Sequence, residues 1–238
     1  MIIKSRIMFI QMIKQIRRDM ICVLLLFVPF IAGAAIHFAI PFGEEMLCRY
    51  LGKSQILSPY YFLFDWMISL LPGMMYLFTG GLIILGELDD KIAGYMSVTP
   101  AGNNGYLFSR LGFPAIISFF INALVLELFS LTHLSLPDIF IMSLSSALLG
   151  VITALLVIAV SSNKVEGMAI GKISGLVGIG MFIPVMFHGK AQYLAAFLPS
   201  FWTGKYLLGK NPFCLFGFAV TFILWMVSLL RMYGLKKV

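Results

Sequence analysis

Charge is what this chain lacks. Only 11% of its 238 residues are Asp, Glu, Lys or Arg, less than half the share of an ordinary soluble domain. Acidic side chains are the scarcer sign, ten against seventeen basic ones. So few charges cannot solvate the surface of a soluble enzyme of this size. Cysteine is also sparse: Cys22, Cys48 and Cys214 show no paired spacing, so neither a disulfide framework nor a thiolate metal site is indicated. What fills the chain instead is hydrocarbon, with 61% hydrophobic residues and a mean hydropathy of +0.99.

That composition describes an integral membrane protein. A helix needs about 20 mostly apolar residues to cross ~30 Å of hydrocarbon. Six stretches meet the requirement, at residues 21–40, 62–86, 111–131, 139–160, 167–187 and 212–230. The expected fold is therefore all-α, six transmembrane helices in a single domain over residues 1–238, with little chain left for a separate soluble domain.

In such a protein the position of basic residues reports orientation. With the N-terminus inside, Lys4, Arg6, Lys14, Arg17, Arg18, Lys91, Arg110, Lys164, Lys172, Arg231, Lys236 and Lys237 face the cytoplasm, and Arg49, Lys53, Lys190, Lys205 and Lys210 face outward. Both termini are thus expected in the cytoplasm, and the net charge of +7 reflects topology rather than nucleic-acid binding. Ala32-Gly33-Ala34 imitates a signal-peptidase site, but the charged region before it is long for a secretory signal.

Residues 2–20 interleave Ile3, Ile7, Ile10, Ile13 and Ile16 with Lys4, Gln11, Lys14, Gln15 and Arg18 at helical spacing. One apolar and one basic face suit an elbow helix lying among inner headgroups, with membrane lipid as its partner. Residues 41–61, carrying Pro41, Gly43, Gly52 and Pro59, read as an external loop. Residues 143–150 and 167–180 are rich in Ser, Ala and Gly, the small side chains that let membrane helices approach closely. Residues 188–211 alternate polar and apolar pieces too short to span, which predicts a re-entrant hairpin on the outer side.

The most concentrated charge is the run Glu87-Leu88-Asp89-Asp90-Lys91. Leu88, Ile92, Tyr95 and Met96 recur at helical spacing, which predicts a short amphipathic helix on the cytoplasmic side. Pro100 pushes Thr99 towards an extended conformation, and Asn103-Asn104-Gly105 supplies a turn before the chain re-enters near Arg110.

Here the residues resemble the permease subunits of type 2 ABC exporters, in particular the compact drug- or bacteriocin-type branch. The match rests on Glu87, Asp89, Asp90, Gly94, Thr99, Pro100, Tyr106, Leu107 and Arg110 in the first inner loop. It continues in Ser162-Asn163-Lys164-Val165-Glu166-Gly167 and in Pro199-x-x-Trp202-x-x-Lys205. The resemblance implies that residues 87–105 form the coupling loop that docks on a cytoplasmic ABC ATPase, with Glu87, Leu88, Asp89, Asp90, Ile92, Tyr95, Met96, Thr99 and Pro100 at the contact. Asn163, Lys164 and Glu166 would make a second, smaller inner contact. ATP and Mg would belong to the ATPase, with no cofactor in this chain, and a second copy or a paralogue would complete the path. A drug, an antimicrobial peptide or a lipid would suit the apolar walls.

His37, Asp65 and Glu127 are the titratable groups within spans, all towards the outer side, and suggest a polar outer vestibule. Two enzyme-like motifs stand beside this reading. Residues 204–211 imitate a phosphate-binding loop but carry Asn211 where the metal-binding hydroxyl belongs. Glu44, Glu45, His133 and His188 resemble the motifs of CAAX-type intramembrane proteases, with a glutamate as general base and the histidines stabilising an oxyanion or a metal. That alternative is weakened by Gln192, where the protease pattern has Asn, and by the Pro41 and Gly43 context of the glutamates.

Overall fold

The computed structural model describes residues 2–90, 102–187 and 189–236. Ile92, Tyr95, Met96, Thr99 and Pro100 of the expected docking helix, and His188, lie outside the described residues. Among the described residues every regular element is helical. The long ones are α1 (Ile2–Arg18), α2 (Met20–Leu51), α3 (Tyr61–Asp89), α5 (Phe113–Phe129), α6 (Leu136–Val160) and α11 (Phe213–Lys236). Shorter pieces are α4 (Gly102–Leu107), α7 (Lys164–Ser174), α8 (Leu176–Ile179), α9 (Ile183–Met186) and α10 (Pro199–Gly209).

Among the described residues five helices are long and apolar enough to cross a membrane: Met20–Leu51, Ser58–Asp89, Gly105–Phe129, Leu136–Val160 and Phe213–Gly234. The stretch expected as a further continuous span, residues 167–187, is instead α7, α8 and α9 separated by turns at Gly175 and Gly180. The cause is local. Glycine disfavours helix interiors by about 1 kcal/mol each, and here it also permits close packing against α10. A Cβ on Gly180 would sit 2.4 Å from Ser200 Oγ, and one on Gly204 only 2.0 Å from the Met181 carbonyl. Broken helices are tolerated at membrane depth where protein covers the freed backbone, and Ser200 Oγ donates to the Val177 carbonyl at this point.

The bundle is built on α3 and α6. Their apolar windows are 83% and 72% buried, against 17% for both α2 and α11, so the first two form the centre and the last two face outward. The centre is tight because Gly73 and Gly150 let the two backbones touch. A Cβ on Gly73 would lie 2.0 Å from Ser146 O, and one on Gly150 would lie 2.3 Å from Gly73 O. Ser146 Oγ accepts from the Gly73 amide at 3.2 Å.

One expectation is corrected at the start of the bundle. Residues 41–51 are not a loop: α2 runs through Pro29 and Pro41 and ends at Gly52, whose φ of 64° supplies the left-handed C-cap. Glu44 and Glu45 therefore stand on a helix. Glu44 draws the following segment back, accepting from Ile56 N (3.3 Å), Ser58 N (3.0 Å), Ser58 Oγ (2.6 Å) and the Tyr61 hydroxyl. Residues 189–211 form a folded hairpin. It is held by Trp202 Nε1 on Ala196 O (2.8 Å), Trp225 Nε1 on Phe197 O (2.9 Å) and the Lys210–Asp138 ion pair at the start of α6.

The packing makes a paired test. Gly73→Ala must displace backbone and is expected to destabilise the detergent-solubilised protein by about 1–3 kcal/mol, the usual cost of overpacking. Gly43→Ala, with nothing within 4 Å of the added carbon, should be neutral or stabilising. Thermal unfolding of the two variants measures the difference; equal melting temperatures would contradict the packing described.

Candidate coupling site

The last turn of α3 carries Glu87 inward, not into water. Arg110 Nη2 meets Glu87 Oε1 at 2.5 Å, Arg110 Nε meets Oε2 at 3.1 Å, and the Tyr106 hydroxyl donates to Oε2 at 2.7 Å. This is a two-pronged guanidinium–carboxylate pair, and both side chains are buried, at 0% and 3% exposure. Arg110 reaches the carboxylate because residues Phe108–Gly112 are wound as a π-helix between α4 and α5. Such wider turns re-aim a side chain and recur at functional sites. Gly80 allows the approach, since a Cβ there would stand 2.5 Å from Arg110 O.

The loop after α3 therefore has two feet, the end of α3 and the start of α5, and a buried ion pair joins them. Leu88 is half-buried against the core rather than part of a free stripe. Asp89 and Asp90 are exposed, and Asp89 Oδ2 accepts from the Lys164 amide at 2.9 Å.

The expected second contact is also engaged within the chain. Asn163 Oδ1 caps α7 by accepting from Glu166 N at 2.9 Å, and Glu166 Oε2 reaches back to Ser162 N at 2.6 Å, a reciprocal pattern close to a capping box. Lys164 Nζ pairs with Asp19. Asp19 joins α1 to α2, and its Oδ1 accepts from Ile21 N and Cys22 N at 3.1 and 3.4 Å. The hydrogen bond from Lys164, then the amides of α2, hold the Asp19 carboxyl below its usual range; the same bond raises Lys164. The pair's stabilisation is thus complete at neutral pH, lost in acid as Asp19 protonates and lost in strong base as Lys164 deprotonates.

At the opposite end of the bundle, His37 Nδ1 lies 3.3 Å from Phe129 O. Asp65 is fully buried and accepts from Leu131 N (2.7 Å), Thr132 N (2.9 Å) and the Thr132 hydroxyl. Both groups bond to the α5–α6 corner, and Glu127 is exposed on α5. Of the protease constellation, three members lie among the described residues. Glu44 is filled by donors from residues 56–61, Glu45 pairs with Arg49 at 2.5 Å, and His133 is exposed. Gly204 and Gly209 lie in one helix, α10, rather than in a strand-to-helix phosphate loop.

One apolar groove is walled by helices that also carry these contacts. It has a volume of about 350 Å³ and lies between α2, α3, α6 and α7. Met74, Met75, Phe78 and Met168 line its apolar body, and Thr153, Lys172 and Ser174 are the polar groups at its wall.

Comparison with protein families gives a match over residues 12–233 to the family described as fluoroquinolones export permease protein Rv2686c-like. The chain belongs to that family. No curated protein and no solved structure matches it. The permease is thus a membrane-embedded transport component of ABC-exporter type rather than an enzyme, and the matched region contains the whole of the Glu87, Tyr106 and Arg110 cluster.

Tyr106 entered the sequence reading only as a mark of resemblance, Arg110 also as a charge counted for orientation, and Asp19 not at all. The available signal was two opposite charges near the inner ends of adjacent spans, each costly in hydrocarbon unless paired. Arg110→Leu in the permease leaves a buried carboxylate unpaired and is expected to cost about 3–5 kcal/mol. The double variant Glu87→Leu/Arg110→Leu should recover much of that loss. Chemical unfolding of single and double variants in detergent checks it; strictly additive losses would contradict a direct buried pair.

Proposed function

We propose that this chain is the membrane-spanning subunit of an ATP-driven exporter in the cytoplasmic membrane, and that fluoroquinolone-like drugs are its substrate class. The substrate class follows the family's name. The observation that carries the mechanism is the clamp between the feet of the first inner loop. An ATPase pressing on that loop would move α3 and α5 as one body, and rigid-body motion is how small displacements become large ones.

The reading assigns the cytoplasm to both termini, to the loop at residues 87–105 and to the turn before α7. The ATPase docks on Asp90 and on the side chains of Ile92, Tyr95, Met96, Thr99 and Pro100. Glu87 and Leu88 support that surface from beneath. α1 lies in the inner headgroup layer, with Ile10 and Ile13 exposed on it beside Lys14, Arg17 and Arg18. The broken segment α7 to α9 makes the remaining crossing, and residues 188–211 dip back from the outer side. A second copy or a related chain completes the path.

Fluoroquinolones are flat, fused-ring molecules bearing a carboxylate and a basic amine. The groove beside α7 suits such a molecule: soft methionine and phenylalanine walls for the rings, and Lys172 exposed at the margin for the carboxylate.

The test is ATP-dependent accumulation of norfloxacin in inside-out vesicles that carry the permease and the ATPase that co-purifies with it. Ile92→Glu/Tyr95→Glu should abolish both co-purification and accumulation while the permease still inserts. Glu45→Ala should change neither. Retained ATPase binding in the double variant would sink the docking assignment, and proteolytic activity lost in Glu45→Ala would favour the protease alternative.

A further inference from the structure

Lys164 is the first residue of α7, and it holds two other elements at once. Its backbone amide donates to Asp89 Oδ2, at the end of α3, at 2.9 Å. Its ammonium pairs with Asp19, the cap of α2, at side-chain exposures of 32% and 25%. Asp19 uses its other oxygen on the first amides of α2. One lysine therefore ties the inner ends of α2, α3 and α7, elements far apart in sequence.

The same three helices, with Thr153 of α6, wall the methionine-lined groove. Ile21 and Leu25 come from α2, Met74, Met75, Phe78 and Leu82 from α3, and Met168, Gly171, Lys172, Ser174 and Gly175 from α7 and its end. The tie sits at the inner end of the groove's walls. A second polar cavity of about 190 Å³, lined by Asp19, Glu87, Asp90 and Lys164 among others, places the tie directly beside the Glu87 clamp.

We infer that the Lys164 junction with Asp19 and Asp89 is the positioning device that makes the groove's walls follow α3. The inference rests on the exporter reading above and adds a second branch to it. The Glu87–Arg110 pair carries a push on the first inner loop to α5. The Lys164 junction carries the same push to α2 and α7. Without it, the inner end of α7 would be held to α3 by apolar packing alone, at Gly167 against Leu85 and Gly171 against Phe78, with turns at Gly175 and Gly180 separating it from the α8 to α10 region. The groove's walls would then follow α3 less closely while the ATPase cycled. Charge-assisted hydrogen bonds of this kind are the stronger class, and partial shielding from water keeps them from being fully screened.

Asp19→Asn separates the roles, since asparagine keeps the oxygen that caps α2 and loses the charge that Lys164 holds. In inside-out vesicles, norfloxacin moved per ATP hydrolysed should fall at least about fivefold, the lower end of ordinary coupling effects. The ATPase bound and the ATP hydrolysed per folded permease should stay at wild-type levels. Lys164→Arg, which preserves the charge, should keep the wild-type ratio. An Asp19→Asn chain with a wild-type ratio overturns the inference, as does one in which transport falls only in step with folded permease. A Lys164→Arg chain as uncoupled as Asp19→Asn also overturns it. Wild-type vesicles that move no norfloxacin with ATP would instead refute the exporter reading itself.

Discussion

A carboxylate buried in an apolar bundle is tolerable only with its counter-charge, and Glu87 has Arg110. This pair governs the inner end of the molecule. It requires α3 to stop beside the start of α5, it requires the π-helical turn that aims Arg110, and it requires glycine at position 80 so that the backbones can approach. Tyr106 adds a third hydrogen bond to the carboxylate. Replacing such a pair with well-packed apolar residues is often neutral for stability, so its value here is geometric: the two ends of the inner loop are held in one arrangement.

The helices that move together in this account are those that touch through polar contacts at the inner side. α3 reaches α5 through Glu87, and it reaches α7 and α2 through Asp89, Lys164 and Asp19. At the other end, Asp65 fastens α3 to the α5–α6 corner and Glu44 fastens α2 to the entry of α3. α3 is thus tied at both ends and packed through its middle by Gly73 and Gly150 against α6. A helix so held transmits displacement rather than absorbing it. α7, which begins the broken segment, adjoins the groove, where change of shape is most useful to a transporter.

Much of the fold was legible because hydrophobic length is a direct physical signal: five of the stretches read from composition coincide with continuous helices. The failures have particular causes. Pro41 and Gly43 read as loop, yet α2 absorbs them, because a helix in an apolar setting loses more by exposing its backbone than by bending at a proline. Residues 167–187 read as a plain span because hydropathy averages over position and passes over the local breaks at Gly175 and Gly180, of which only Gly180 also packs against Ser200 and Phe201 of α10. The site was half legible. Charge density located the inner loop, but it treated Glu87, Asp89 and Lys164 as groups facing a partner. Their real partners, at positions 110, 164 and 19, lie too far along the chain for spacing to connect them.

The central claim is that the two feet of the inner loop form one rigid unit. Pulsed electron paramagnetic resonance between spin labels at positions 90 and 108, both exposed in the fold, tests it most directly. The permease is reconstituted with its ATPase and compared with and without a trapped nucleotide. The account predicts one narrow distance distribution, the same in both states, that broadens when Arg110 is replaced by leucine. Feet that separate when nucleotide binds, with Glu87 and Arg110 intact, would contradict it.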